Sequence, residues 1–390
     1  MKPVAILGGG PAGSTCAERL ASAGMKVVLI DEKLAWEKPC GGGITHKAYL
    51  QYPYLRENGT PKQAITETKL MAPKSGSAKL ELGNPLIIYS RLELNDMLLR
   101  RASEAGAQLE KTRVQGMERT CSGGWRIRTR DGTIDASFCI VATGARNPLR
   151  EVGTVFTAED TMCALGYYVE GSLDRIDLQF LPQFEGYIWV FPRCGHLSVG
   201  ICGKGVATPV LRKWLEDWMT RKGYRWQGSR FYAHLIPSLR SQSLLDNRIS
   251  GDGWLAVGDS AGFVDPITGE GLYYAVRSGD LASQIVLNEA LAPGAKASAY
   301  RKLVHADFLD DLYIASRLCR RFYTGNFLFG QVTDRMVQLV RRSKRFGDLM
   351  RDLFSGTQTY SGLRERVWGT FRRGGWEILF HDEPVLSQEP

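Results

Sequence analysis

The sequence opens with a pattern of strand, turn, helix and strand that limits how the chain can fold. A short apolar run, Val4 to Leu7, stops at three consecutive glycines, and a helix-like segment covers about residues 12–23. A second apolar run follows at Val27 to Ile30. Short apolar runs bounded by glycine turns are typical of buried parallel strands joined by a crossover helix. The first 33 residues therefore predict a βαβ unit.

The turn in this unit has the spacing Gly8-x-Gly10-x-x-Gly13. In such turns the first glycine makes the bend, the second lets the backbone approach a pyrophosphate, and the third lets the helix lie close to the strand. The phosphates would lie at the helix N-terminus, beside Pro11 and Ala12, where unpaired N–H groups favour negative charge. An ordinary βαβ unit with a glycine turn is the alternative interpretation.

An acidic residue stands where a ribose would be expected. Asp31 follows Gly8 by 23 positions and ends the second predicted strand, where its carboxylate can accept hydrogen bonds from ribose hydroxyls. Glu32 and Lys33 are neighbouring candidates, although strand alternation points Glu32 to the opposite side. Strand, helix and acid together favour dinucleotide binding.

The length and the cysteine pattern narrow the class of protein. With 390 residues the chain exceeds the size of a single core, so two or three domains are expected. No uninterrupted apolar run approaches the ~18 residues of a membrane helix. The start is not expected to be a signal peptide, because Glu18 and Arg19 interrupt the apolar stretch. Eight scattered cysteines without a C-x-x-C pair predict a reducing, cytoplasmic location and no metal site.

The net charge of +9 is concentrated near the C-terminus, where residues 317–373 hold thirteen Lys/Arg and four Asp/Glu. The pattern from residue 296 to residue 390 is helical, with aromatic residues between the arginines. Basic amphipathic helices can lie on anionic membranes, so peripheral membrane contact is one hypothesis and a solvated basic face is the other. Nucleic-acid binding is not expected, because no known module accompanies the charge.

A loop after the βαβ unit contains Cys40-Gly41-Gly42-Gly43, which neither a helix nor a strand interior accommodates cheaply. Such a run suggests backbone pressed against a flat, bulky group, for which a flavin ring is the natural candidate. Cys40 would then lie beside the ring. It is either a catalytic residue or a small side chain in a tight loop.

Three later segments are further candidates for nucleotide contacts. Arg91, at the start of a predicted helix, could reach a phosphate or remain solvated. The apolar run 138–142 enters Thr143-Gly144, as buried parallel strands beside a nucleotide do. A third apolar run ends at residue 257 and leads through a glycine and proline loop into a long helix. Its candidate contacts are Gly258, Asp259, Pro266, Gly269, Gly271 and Leu272.

Residues from about 162 to 239 alternate between apolar and polar and predict a large antiparallel sheet with one wall facing a pocket. Tyr187, Trp189 and Phe191 share one face of a strand, as pocket or core residues. The predicted fold is α/β (α+β), with three parts. These are a discontinuous Rossmann-like domain (1–55, 88–155 and 250–295), a sheet domain that binds substrate (56–87 and 156–249) and a helical C-terminal region (296–390).

Two alternatives to a flavin enzyme with its own substrate remain. Residues 258–262 match G-x-S-x-G, so a Ser260 esterase with Asp307 or Asp310 and His381 has the right chain order. However, the loop after Ser260 delays the helix that such an elbow enters directly. The other alternative is a flavoprotein that only passes electrons to a partner.

The Gly8 to Gly13 turn, Asp31, the Pro39 to Gly43 loop, the Tyr187 to Pro192 stretch and Gly258-Asp259 occur in the order found in one family. Over about residues 1–290 the chain resembles the geranylgeranyl reductases, flavoproteins with the p-hydroxybenzoate hydroxylase fold. The sequence departs from the wider hydroxylase group at Thr143-Gly144, where an Asp-Gly is usual.

The resemblance implies non-covalent FAD, reduced by NADPH or ferredoxin, and hydride transfer to a carbon–carbon double bond of an isoprenoid chain. It places the adenosine and pyrophosphate on the first turn and Asp31, the ribityl side on Asp259, and the ring edge on Gly41 to Gly43. Tyr187 and Trp189 would line a pocket for a hydrophobic small molecule. A monooxygenase or halogenase acting on an aromatic substrate is the alternative enzyme. Since no second GxGxxG is present, the donor is a transient visitor or a partner protein.

Overall fold

The computed structural model describes residues 2–121, 123–149, 152–182, 184–327, 330–363 and 365–369. In chain order the strands are β1 (Val4–Leu7), β2 (Val27–Ile30), β3 (Gly43–Ile44), β4 (Gln63–Ala72), β5 (Gly76–Ile88), β6 (Gln108–Glu110), β7 (Val114–Arg119), β8 (Trp125–Thr129), β9 (Gly132–Ala136), β10 (Phe138–Val141), β11 (Thr161–Val169), β12 (Ile176–Phe180), β13 (Gly186–Arg193), β14 (His196–Gly203), β15 (Arg230–Pro237), β16 (Ser250–Gly251), β17 (Trp254–Ala256), β18 (Asn326–Phe327) and β19 (Gly330–Gln331).

The α-helices are α1 (Pro11–Ser22), α2 (His46–Gln51), α3 (Arg91–Glu104), α4 (Thr208–Arg221), α5 (Ser241–Leu245), α6 (Leu272–Leu287), α7 (Lys296–Val304), α8 (Asp310–Thr324), α9 (Val332–Arg342) and α10 (Lys344–Phe354). A π-helical turn, His305–Leu309, joins α7 to α8. None of the helices in the described ranges combines the length and the apolar character that crossing a bilayer requires.

A six-stranded sheet forms the nucleotide-binding half, with the order β16-β17-β10-β1-β2-β6. The strands from β17 to β6 pair in parallel, and β16 pairs with β17 in the antiparallel sense. Strands β1 and β2 are buried along their whole length, which explains their unbroken apolar sequence. The βαβ unit predicted from the first 33 residues is present as β1, α1 and β2.

An eight-stranded sheet forms the second half, with the order β15-β11-β14-β13-β12-β4-β5-β3. Its pairs are antiparallel except for β12 and β4, which run in parallel. Strand β3 pairs with β5 although the sequence analysis assigned residues 1–55 to the nucleotide-binding half. The glycine loop therefore crosses from one half to the other, because its last residues complete the edge of the large sheet.

Both faces of the large sheet are covered. Helix α4 packs on one face, where Leu215 and Met219 meet Val199 and Ile201. Helices α9 and α10 pack on the other face, chiefly against β5. The mixed architecture and the helical C-terminal region confirm the predicted fold class. Residues 370–390 of that region lie outside the described residues.

Candidate functional site

A cavity lies where the carboxyl ends of three parallel strands face the large sheet. Gly10, Ala142 and Val257, which follow β1, β10 and β17, all line it. In open α/β sheets ligands bind at this edge, because the loops that leave adjacent strands separate there. The site predicted from the glycine turns therefore falls in a single cavity.

The first turn has the space and the polarity for a pyrophosphate. Gly10 caps α1 and Pro11 begins it, so the free N–H groups of the first helical turn point toward the cavity. A Cβ atom on Gly10 would meet nothing within 4 Å, whereas one on Gly13 would lie 2.0 Å from the Gly8 carbonyl oxygen. Gly10 thus leaves room for a ligand, while Gly13 allows α1 to pack against the turn. Ala12 lines the cavity beside them.

The Asp31 carboxylate is fixed at the end of β2. It accepts hydrogen bonds from the backbone N–H groups of Gly9 at 2.8 Å and of Lys33 and Leu34 at 2.7 Å each. Glu32 and Lys33 are exposed to solvent, as the strand alternation predicts for Glu32. The ordered carboxylate of Asp31 lies beside the first turn, where it suits a ribose, but neither Asp31 nor its two neighbours form part of the cavity wall.

The Cys40 to Gly43 loop lines the middle of the cavity. The Gly42 N–H donates to Cys40 Sγ at 3.3 Å, and the Tyr89 N–H donates to the Gly42 carbonyl at 2.9 Å. Gly42 has φ +84, and a Cβ there would lie 2.0 Å from the Tyr89 carbonyl oxygen. A Cβ on Gly41 would lie 2.9 Å from the Phe191 ring. Close packing against protein groups therefore already requires glycine at these two positions, independently of a flavin ring.

Beneath this loop lies an ion pair between Arg193 and Glu37, neither of which the sequence motifs indicate. Arg193 is completely buried, and its guanidinium donates to the Glu37 carboxylate and to the Cys40 carbonyl. Burial raises the pKa of Glu37, but the Arg193 charge and the hydrogen bonds from Ser90 and Arg91 outweigh it, so that the pKa is lowered. The ion pair supports the glycine loop through the hydrogen bond from Arg193 to the Cys40 carbonyl. Its one sequence signal is that Arg193 directly follows the aromatic stretch Tyr187 to Pro192.

A second set of polar side chains lies at the nucleotide-binding end of the cavity. Lys38 Nζ lies 3.0 Å from Asp259 Oδ2, and Arg91 and His234 also line this part of the cavity. Burial opposes ionisation of Asp259, but the Lys38 charge dominates and lowers its pKa. Burial and the Lys38 charge lower the pKa of His234 to about 3, so this imidazole is neutral. Basic side chains beside a helix N-terminus fit the phosphates of a dinucleotide. Lys38 and His234 were not among the sequence candidates.

The loop before α6 forms another part of the cavity wall. Gly269, Gly271 and Leu272 line the cavity, and the Asp265 carboxylate accepts hydrogen bonds from the backbone of residues 267 and 268. Tyr360 donates to the other Asp265 oxygen at 2.8 Å. Burial raises the pKa of Asp265 despite these hydrogen bonds. This arrangement holds the loop rigid against the C-terminal region.

The aromatic face of β13 forms the sheet wall of the cavity, where Tyr187, Trp189 and Phe191 all lie. The Tyr187 hydroxyl donates to the Thr268 carbonyl at 2.7 Å, which ties the sheet to the loop before α6. Apolar side chains from neighbouring strands continue this wall. They are Leu86, Ala164, Ile176, Leu178 and Ile236.

The C-terminal region supplies the remaining wall, which no local sequence signal indicated. Leu353, Phe354, Gly356, Tyr360 and residues 358–359 line the cavity. Five other predicted contacts contribute no lining surface within the described residues. These are Gly8, Gly13, Asp31, Thr143 and Pro266, of which Gly8 and Gly13 shape the first turn.

The structure contradicts the esterase alternative. Ser260 is fully buried, and its hydroxyl lies within hydrogen-bond distance of the carbonyl oxygens of Val141 (2.6 Å) and Val257 (2.7 Å). Asp307 pairs with Arg277, and Asp310 lies beside His305. A buried hydroxyl held by backbone carbonyls has no path to an ester, so the G-x-S-x-G match has a structural role. His381 lies outside the described residues.

Comparison with known proteins identifies the relatives of this chain. Residues 2–165 match the family model described as pyridine nucleotide-disulphide oxidoreductase. An uncharacterized protein of Methanosarcina barkeri is 26% identical over 84% of each chain. The chloroplastic geranylgeranyl diphosphate reductase of Oryza sativa is 28% identical over 73% of this chain and 66% of that enzyme. Digeranylgeranylglycerophospholipid reductase 2 of Methanothermobacter thermautotrophicus is 28% identical over 75% and 79%.

Solved structures share the fold across nearly the whole chain. A geranylgeranyl bacteriochlorophyll reductase-like protein from Thermoplasma acidophilum superposes with a TM-score of 0.74 at 21% identity, covering 94% of this chain and 98% of that one. The flavin-dependent brominase Bmp2 gives a TM-score of 0.70 at 17% identity, covering 95% and 99%. The structural matches show a shared fold, and the sequence matches show which named proteins the chain is similar to. The chain is thus similar, over residues 2–165, to the pyridine nucleotide-disulphide oxidoreductases, and over most of its length to relatives named as geranylgeranyl reductases.

Proposed function

We propose that the protein is a reductase that adds hydrogen across carbon–carbon double bonds of a prenyl chain. One observation carries the proposal: a single cavity joins the glycine-lined nucleotide end to an apolar wall of the large sheet. The side chains of this wall, among them Leu178, Trp189 and Ile236, offer an isoprenoid hydrophobic surface and no charge. Relatives named as geranylgeranyl reductases support this substrate class.

The chain's own residues would bind and orient the reactants. The first turn and Asp31 would hold the pyrophosphate and ribose of FAD, Asp259 the ribityl hydroxyls, and the Cys40 to Gly43 loop the ring edge. When bound and reduced, FAD supplies the hydride. The apolar wall would exclude water and hold the prenyl chain against the glycine loop. Cys40, whose carbonyl is anchored by Arg193, would lie beside the reacting atoms.

The electron donor in this proposal is NADPH or a reduced ferredoxin. The chain has one GxGxxG turn, so a nicotinamide donor would visit the flavin without a domain of its own. Stopped-flow reduction of the holoenzyme with NADPH, compared with reduced ferredoxin, identifies the donor. The two-electron reduction of the flavin by one of them, at least tenfold faster than by the other, is the expected result.

An anaerobic experiment tests the reductase function. The flavin of the purified holoenzyme is reduced photochemically, geranylgeranyl lipids are added, and the flavin absorbance is followed. Reoxidation that depends on the lipid, with the saturated chain as product, is expected. If no prenyl compound reoxidises the flavin, the proposal is wrong.

The second candidate is a flavin monooxygenase or halogenase acting on an aromatic substrate, which the shared fold of the brominase favours. Such an enzyme consumes oxygen together with its substrate, whereas oxygen competes with the reductase reaction. The same reduced protein is therefore mixed with oxygenated buffer, chloride or bromide, and a set of phenols and pyrroles. Substrate-dependent oxygen consumption with hydroxylated or halogenated product would favour this candidate over the reductase.

A further inference from the structure

A carboxyl group faces the cavity at the N-terminal end of α6. Glu270 stands between two glycines, and Gly269, Glu270 and Gly271 all line the cavity together with the Cys40 to Gly43 loop. Glu270 is half-buried, and its Oε1 accepts a hydrogen bond from the Tyr273 N–H at 2.8 Å. Neither the sequence motifs nor the proposed cofactor contacts assign a role to this carboxyl.

The surroundings of Glu270 favour its neutral form. Burial raises the pKa of Glu270 to about 7, and the nearby Asp265 carboxylate adds to the effect, against the opposing influence of backbone N–H groups and Lys47. Tyrosines complete the set of titratable groups that face it. They are Tyr187 from β13 and Tyr273 and Tyr274 from α6. Lys47 lies over the Tyr273 ring at 4.3 Å and has a lowered pKa because of its burial.

We propose that Glu270 is the proton donor of the reduction, delivering its carboxyl proton to one carbon of the prenyl double bond. The inference rests on the proposed reductase function and adds the source of the proton that the reduction requires. Glu270, the glycine loop and the apolar side chains of the large sheet all line the same cavity, so an alkene bound there lies in a space that Glu270 shares.

The reaction balances with this assignment. The π bond of the alkene breaks and two C–H bonds form. One carbon receives a hydride, with its two electrons, from the reduced cofactor, which is thereby oxidised. The other carbon receives the proton of Glu270, whose O–H bond breaks to leave a carboxylate. Water entering the cavity between turnovers returns the proton to the carboxylate.

An uncharged acid is needed because an isolated alkene is a very weak base. The apolar wall also shields the alkene from protonation by water. A general acid positioned at the reacting carbon typically contributes a factor of about 10² to 10⁴ in rate. Cys40 is the competing candidate in the same cavity. The two residues are distinguished by substituting each separately.

The test uses the anaerobically reduced holoenzyme and one geranylgeranyl lipid. Glu270→Gln is expected to slow single-turnover flavin reoxidation about 100-fold, while Glu270→Asp retains a slower, acid-dependent reaction. The wild-type rate is expected to fall about tenfold per pH unit above pH ~7, and the Gln variant to lose this dependence. Glu118→Gln, an exposed carboxyl on β7, is the matched control and should react as wild type does. Cys40→Ser should keep the wild-type pH profile.

Two measurements without substrate accompany the kinetics. Difference infrared spectroscopy of the wild-type holoenzyme should show a protonated carboxyl band that titrates near pH 7 and is absent from Glu270→Gln. FAD affinity and thermal stability of the variants should stay close to wild type. A Gln variant that binds FAD and reacts within threefold of wild type, with an unchanged pH profile, overturns the inference but leaves the reductase function intact. A wild-type protein that no prenyl lipid reoxidises refutes the reductase function and the inference with it.

Discussion

Arg193 is the residue on which the geometry of the glycine loop most depends. Its guanidinium is inaccessible to water and joins the Glu37 carboxylate to the Cys40 carbonyl. Glu37 in turn accepts hydrogen bonds from the N–H groups of Arg91 and Leu92, which begin α3. One buried ion pair thus connects β13, the glycine loop and a helix of the nucleotide-binding half.

Substituting Arg193→Met should destabilise the protein by about 3–5 kcal/mol, because it leaves the Glu37 carboxylate buried without its cation. Urea unfolding measures the change in the free energy of unfolding. The double variant Glu37→Gln, Arg193→Met should recover part of the loss, since it removes both charges together. Equal destabilisation of the single and double variants would show that the ion pair is not the cause.

Asp31 provides a prediction for cofactor binding. Hydrogen bonds to charged groups contribute about 1.5–3 kcal/mol each, so Asp31→Asn should weaken FAD binding roughly 10- to 100-fold. Titration of the flavin-free protein with FAD, followed by quenching of flavin fluorescence, gives the dissociation constant. Glu32→Gln is the matched control, because this neighbouring carboxylate is exposed to solvent, whereas Asp31 is partly buried and accepts a hydrogen bond from the first turn. A similar loss in both variants would contradict the role assigned to Asp31.

At the scale of elements, α9 and α10 close the cavity side of the large sheet. Phe346, Leu349 and Met350 are buried from α10, in the same cluster as Leu80 and Leu82 from β5. The apolar side of these helices is therefore occupied within the chain. Arg341, Arg342, Lys344 and Arg345 are exposed at the junction of the two helices.

Leu349→Ala should cost about 2–5 kcal/mol in the free energy of unfolding, as is usual for a fully buried leucine. Leu349 is 1% exposed, whereas Leu92 on α3 is 43% exposed. Leu92→Ala is therefore the control and should change stability by no more than about 0.5 kcal/mol. Chemical unfolding of both variants checks the prediction, and similar losses would mean that α10 contributes little to stability.

The elements that could be predicted from the sequence are those defined by nearby residues. The spacing from Gly8 to Gly13 and the apolar runs beside it specify β1, α1 and β2 within about thirty residues. Alternation along β13 was sufficient to place Tyr187 and Trp189 on one face. The Tyr360 to Asp265 hydrogen bond spans 95 positions and leaves no local pattern, so the C-terminal wall was not anticipated. The Arg193 and Glu37 pair was missed for the same reason.

At the scale of the whole molecule, the two sheets and the C-terminal helices line one cavity together. None of these parts forms the cavity alone. Four basic residues are grouped on the solvent-exposed side of the C-terminal helices. We call Arg341, Arg342, Lys344 and Arg345 the basic junction, after their position between α9 and α10. A grouped positive charge of this kind favours contact with an anionic lipid surface.

We expect the protein to bind vesicles that contain phosphatidylserine and to leave them at high salt, because each basic residue near such a surface contributes about 1 kcal/mol and salt screens it. Co-sedimentation measures binding. Replacing the basic junction with glutamine should abolish it. The control replaces four exposed basic residues elsewhere, namely Arg221, Lys222, Arg225 and Arg230. Loss of binding in the control as well would show that overall charge, and not the basic junction, is responsible.

The participation of Tyr360 in the cavity has a consequence for the order of events during synthesis. The glycine turn at residue 10 is synthesised first, but the wall of the same cavity is complete only after residue 360 has been synthesised. A nascent chain that lacks this segment lacks one wall of the cavity. We therefore expect a chain that stops before residue 353 to hold the cofactor less tightly than the full sequence does.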